Sequence, residues 1–244
     1  MAEPVPEYAG TVGRVGVLLL VSSMAAVTAA VAYAAQSPRA LRASILRVAK
    51  AQHSVHYATR EIDGNGLLKL SADVAAADGR QHVSFKVGKK TGQDTILVLD
   101  DMAYVEGDTY GLGLLLGLTK SQATNYAGQW ISIPKGDKDY SRIAAAVTLG
   151  SFLHEITPHG RLAAFKGKLH GTRVIGVRGT SGTGKKKRHQ VLVARARGKP
   201  LPLAEDEFAR AREYISRTAM TKWNESVQVK APASSTPIST VRGG

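Results

Sequence analysis

Short runs of alternating apolar and polar residues, cut at regular intervals by turn-forming pairs, constrain this chain more than any other feature. HSVHYATREID leads into Gly64-Asn65-Gly66, LLKLSADVAAA into Asp78-Gly79, and RQHVSFKVG follows. In the last run Val83, Phe85 and Val87 alternate with Ser84 and Lys86, the period of a half-buried strand. Asp-Gly between two such runs signals a hairpin. DTILVLD and MAYVEG continue the meander, QWISIP is a strand ended by Pro134, and RLAAFKGKLHG, TRVIGVRGT, RHQVLVARA and PLPLAEDEF resume it. EDEFARAREYI has helix-favouring composition but follows Gly198, Pro200 and Pro202, and reads as a strand pair.

Helical signals are fewer. Across residues 37–52, Ser37 is placed to cap, Pro38 suits the first turn, and Leu41, Ile45, Val48 and Ala49 share a face. Residues 139–153 read as one helix with Ile143, Val147 and Phe152 inward. LGLLLGL, carrying Leu112, Leu115 and Leu118, reads as core or as a glycine-spaced lid. Strands, a helical insertion and more strands predict an α+β fold: one large antiparallel sheet with helices gathered on one face. The Pro-, Ser- and Thr-rich tail, residues 232–244, is expected to be disordered.

The N-terminus has a different character. Residues 15–35 carry no charge, and about 20 apolar residues suffice to span a bilayer. After a short segment of residues 1–14, this run is expected to be a transmembrane signal anchor, or a signal peptide cleaved after Ala34. Flanking charge favours a cytoplasmic domain, since Arg39, Arg42, Arg47 and Lys50 follow the run and only Arg14 precedes it.

No catalytic constellation emerges. Gly179 to Lys186 approaches a phosphate-binding loop, but Lys186 stands where a hydroxyl is needed and a strand follows instead of a helix. His154 and His159 are five apart with Pro158 between them, which spoils a zinc-binding helix. His53 and His56 lack a third ligand. No G-x-S-x-G surrounds a serine. The absence of cysteine excludes thiol chemistry, cysteine-ligated zinc and a cysteine-linked lipid anchor. The chain is expected to be non-enzymatic, with no cofactor and no metal.

Charge is more telling. Residues 156–204 contain twelve Lys and Arg and no acidic residue, including the run Lys185, Lys186, Lys187 and Arg188. Such an excess of one sign attracts anions. With only Phe165 as an aromatic in the stretch, an anionic membrane or cell-wall surface is the expected partner, and nucleic acid is not.

Several motifs, in order, carry a family resemblance. Tyr104-Val105-Glu-Gly107 is similar to a strand ending Y-V-x-G. The segment Gly128-Gln-Trp130-Ile131-Ser-Ile133-Pro134 is similar to G-K-W-V-x-V-P. Trp223 followed by Val227, Val229, Ala231 and Pro232 is similar to W-x-x-x-V-x-V-x-A-P. Together with the segments around His170-Gly171 and Leu201-Pro202, these resemble the LppX/LprG-type lipoproteins of the actinobacterial envelope and, more distantly, the LolA-like fold. The resemblance covers most of residues 40–233. It implies a curved half-barrel sheet over residues 36–231, helices over its concave face, and an apolar cavity between them that binds lipid or lipoglycan. Leu112, Leu115, Leu118, Ile143, Val147 and Phe152 are the side chains expected to line it. The family's lipid-modified cysteine is missing here, and residues 15–35 are expected to anchor the domain outside the cytoplasm instead. The alternative is a solid basic module that docks on an anionic envelope polymer or a membrane protein.

Overall fold

The computed structural model describes residues 36–64, 66–182, 187–209 and 214–243. The expected segments 1–14 and 15–35, together with Lys185 and Lys186, lie outside them. Helix α1 (Pro38–Lys50) forms as its sequence dictates: the Ser37 hydroxyl accepts from the Ala40 N–H at 3.2 Å, proline occupies the first turn, and Leu41, Ile45 and Ala49 are buried along one stripe.

Five strands follow in hairpin succession: β1 (Ser54–Asp63), β2 (Gly66–Ala75), β3 (Gly79–Val87), β4 (Lys90–Leu99) and β5 (Met102–Gly107). Asp100 and Asp101, both with positive φ, make the tight β4–β5 turn. Gly79, expected to be a turn residue, instead opens β3. A Cβ there would lie 1.7 Å from the Val147 carbonyl oxygen, so the glycine admits a close backbone approach. Next come α2 (Thr109–Leu116), α3 (Lys120–Tyr126), β6 (Ile131–Pro134), α4 (Tyr140–Ile143) and α5 (Leu149–Glu155). The second meander is β7 (His159–Leu169), β8 (Thr172–Ser181), β9 (Arg188–Arg195), β10 (Pro202–Phe208) and β11 (Tyr214–Thr221), and β12 (Thr236–Pro237) and α6 (Ile238–Gly243) end the chain.

All twelve strands join one curved, unclosed sheet in the order β12-β6-β5-β4-β3-β2-β1-β11-β10-β9-β8-β7. Every pairing is antiparallel except β12 with β6. The two meanders meet where β1 pairs with β11. The predicted α+β architecture is therefore present, with six helices among the described residues. One core cluster joins α1 and α5 to β1, β2, β8 and β9; a second joins α2, α3, α4 and α6 to β3 through β6. Both lie on the same face of the sheet.

Two expectations need correction. Residues 139–153 are not one helix: α4 and α5 are separated by a break containing Ala146, which has φ 59°. The break presents the Ala146 carbonyl to the Tyr57 hydroxyl at 2.7 Å, an anchor formed by a distant strand. Nor is the tail disordered. The Thr236 N–H donates to the Trp130 carbonyl at 2.8 Å, and Ile238 and Val241 are buried at 2% and 1% exposure in the second cluster. Two apolar residues three apart suffice to dock a turn of helix that composition alone would call polar.

Candidate functional site

Of the six side chains expected to line a cavity, Leu112, Leu118, Ile143 and Val147 are buried together in the second cluster, and the half-buried Leu115 packs against it. Phe152 belongs to the first cluster and stacks on Tyr57 with ring centroids 4.1 Å apart. Leu115 and Leu118 border a cleft of about 500 Å³ whose other walls include Lys138, Asp139, Arg142 and Arg242. Arg188 opens β9, and the exposed Lys187 precedes it. His56 is tied to Asp73 at 2.8 Å, and His154 and His159 lie with ring centroids 6.3 Å apart. Among the described residues no group of three or more His, Asp or Glu could hold a metal ion.

The apolar feature that sequence reasoning missed is on the other face of the sheet. On β7 to β10, the side chains pointing away from the helices form a third apolar cluster of Val174, Val193 and Ala204, with Phe165, Leu169, Val191 and Leu203 against it. They floor a depression of about 610 Å³, walled on one side by Phe208. Its geometry follows from register. Phe165 sits opposite Gly176, and a Cβ on Gly176 would lie 2.4 Å from the ring, so the ring rests flat on β8. The Arg178 guanidinium lies 4.8 Å from the centre of that ring. Lys168 and His189 also border the depression. The signal was present in VIGV and VLVA, runs that are apolar at both parities and so give a sheet two apolar faces.

Buried carboxyls are a second feature the periodicity did not single out. One cross-strand row on the helix-covered face runs from Leu192 through Glu205, Thr218, Thr59, Leu70 and Val83 to Asp94. Asp94 and Glu205 are each only 4% exposed, and neither oxygen of Asp94, nor Glu205 Oε1, has a hydrogen-bond partner among the described residues. Burial raises the Asp94 pKa from 3.8 to about 7, and the nearby Asp108 charge adds to the rise. Burial likewise raises Glu205 from 4.5 to about 8; Glu207 and Asp206 push the same way, against hydrogen bonding from Gln190 and Thr218. The parity of Asp94 with Ile96 and Val98 was a legible sign of its inward position.

On the same outer face, β2 to β5 carry a polar groove of about 730 Å³. It runs between the rows Lys69–Ser84–Gln93–Asp108 and Ser71–His82–Thr95–Glu106. The outer face is thus apolar and basic at one end of the sheet and polar at the other. The first arrangement can hold a hydrocarbon chain beside a cation.

No family model matches the sequence, and no curated protein matches it. Among solved structures the chain is similar to an uncharacterized conserved protein from Thermus thermophilus, with 10% identity and a TM-score of 0.45, covering 83% of this chain and 98% of that one. It is also similar to a DUF1329 family protein from Desulfovibrio piger, with 9% identity and a TM-score of 0.34, covering 80% of this chain and 96% of that one.

Proposed function

We propose that this chain is a non-enzymatic module that binds a lipid or other amphiphile and is held outside the cytoplasm by the apolar run of residues 15–35. An unclosed curved sheet with helices on one face is compatible with lipid binding. The observation that carries the reading is the depression on β7 to β10. Its floor of buried Val174, Val193 and Ala204 is lined by the half-buried Phe165, Leu169, Val191 and Leu203, and Arg178 stands at its border; an apolar concavity open to solvent marks a ligand site. The acyl chain lies on this face, over Phe165, Val174 and Val193. The expected cavity side chains Leu112, Leu118, Ile143 and Val147 serve as the packing that holds α2 and α4 to the sheet.

Native mass spectrometry of the full chain, purified from membranes in mild detergent, tests this. Wild type is expected to carry a bound lipid, released by organic solvent. Val191→Asp, which puts a charge into the half-buried floor of the depression, should lose most of it with little change in melting temperature. Equal lipid in wild type and variant would refute the site. A specific observation supports a second reading: β7, an edge strand of the sheet among the described residues, exposes Arg161, Lys166 and Lys168. No bound lipid together with retained binding to anionic vesicles would favour a basic docking module.

A further inference from the structure

The depression on β7 to β10 is not electrically neutral. Arg178 is exposed and stacked on Phe165, and no ion pair holds it among the described residues. The ring contact holds the guanidinium over the apolar floor, and its planar fork of N–H donors suits a planar or tetrahedral oxyanion. The one carboxylate among the described bordering residues, Asp206, is already engaged by Arg217, whose Nε and Nη2 donate to it at 2.7 and 3.1 Å. That bidentate pair leaves Arg178 without a counter-ion among the described residues. Register places Arg178 beside the apolar floor: it sits opposite Val191 on β9, and Val191 opposite Asp206 on β10.

We infer that the site selects amphiphiles with an anionic headgroup, a carboxylate or phosphate held by Arg178, while the hydrocarbon chain lies over Phe165 and Val193. This rests on the reading of the depression as an acyl-chain site and adds the headgroup class. A neutral amphiphile of the same chain buries the same apolar area but leaves Arg178 without its anion. The difference between the two ligands therefore isolates the headgroup contact.

The test uses the full chain in phosphatidylcholine nanodiscs and two photoactivatable probes, a long-chain carboxylate and the alcohol of the same chain, each with a diazirine near its end. Labelled peptides are mapped by mass spectrometry. The carboxylate is expected to half-saturate labelling around Phe165, Val174 and Val191 at about one tenth of the alcohol's concentration, the size of one charge-assisted contact. Arg178→Gln should abolish that preference while alcohol labelling persists, and Lys168→Gln, at a side chain whose parity points it to the other face of the sheet, should leave the preference intact. Both substitutions are at exposed side chains, so folding should survive. Equal labelling by the two probes in wild type would overturn the headgroup selection and leave the chain site standing. No saturable labelling by either would overturn the chain site itself. Displacement of the carboxylate by inorganic phosphate at the carboxylate's own concentration would identify a simple anion site, and cross-links from residues 15–35 into these peptides would show that the chain's own apolar run is the occupant. Either result overturns the inference.

Discussion

Glu205 and Asp94 show how strongly a single side chain can depend on its row in a sheet. Each stands on the helix-covered face, where a carboxylate is costly and a carboxylic acid is not. Raised to about 8, Glu205 is mostly protonated at neutral pH, and its hydroxyl can then serve the unpartnered Oε1 of Gln190, whose Nε2 already donates to the Glu155 carbonyl at 2.9 Å. The sign of the pH effect follows. Between 4.5 and about 8 for Glu205, and between 3.8 and about 7 for Asp94, the folded chain keeps a proton that the unfolded chain has released. Stability from these groups is therefore fully present below pH 4 and declines as pH rises to about 8. Thermal melts of wild type should show a falling melting temperature from pH 5 to pH 8.5, and Glu205→Gln should flatten the decline and melt higher at pH 8.5. Parallel pH profiles for the two proteins would show that Glu205 does not titrate in that window. The inward parity of both residues could be read from the chain. Their depth could not, because it depends on α2 and α5 closing over rows of a sheet assembled from both meanders.

At the scale of elements, the strands were legible and the helical connections less so. Period-two alternation and turn pairs located β1 to β10 and, inside EDEFARAREYI, the start of β11, because hairpins are specified locally. The break between α4 and α5 was not legible, since it answers to Tyr57 on β1. The closing element was missed for a related reason: α6 has its partners on β6 and α3, far away in sequence. Its Arg242 pairs with Asp137 at 3.3 Å and also with Asp139, so this short helix is held by charge as well as by Ile238. Ile238→Ala should destabilise the protein by about 2–5 kcal/mol in urea unfolding, the usual cost of emptying a buried isoleucine site. A loss below about 0.5 kcal/mol would mean that the helix is only loosely docked. The apolar depression escaped notice because a strand apolar on both faces reads, from sequence, like any buried strand, and only the sheet order shows that no helix among the described residues covers its second face.

For the whole molecule, orientation is the property on which sequence signals conflict. Among the described residues no helix is long and apolar enough to cross a membrane, and residues 15–35 lie outside them. The cations after that run favour a cytoplasmic domain, whereas the proposed function requires an external one. A C-terminal alkaline phosphatase fusion in a bacterial host should be active; an inactive phosphatase beside an active cytoplasmic reporter at the same junction would place the domain inside. The seam between β1 and β11 has a kinetic meaning. Each meander is a succession of neighbouring hairpins and can form early, but the seam pairs His56 with Thr221, and loop-closure entropy must be met before that contact gives anything back. Arg60 also faces Arg217 across it, a like-charge pair in which Asp206 engages only the second arginine. Joining the halves should therefore be the slow step of folding, and until it happens each half presents an open strand. At high concentration, β1 of one molecule can accept β11 of another through the same register, so two chains exchanging halves would rebuild the native sheet twice over.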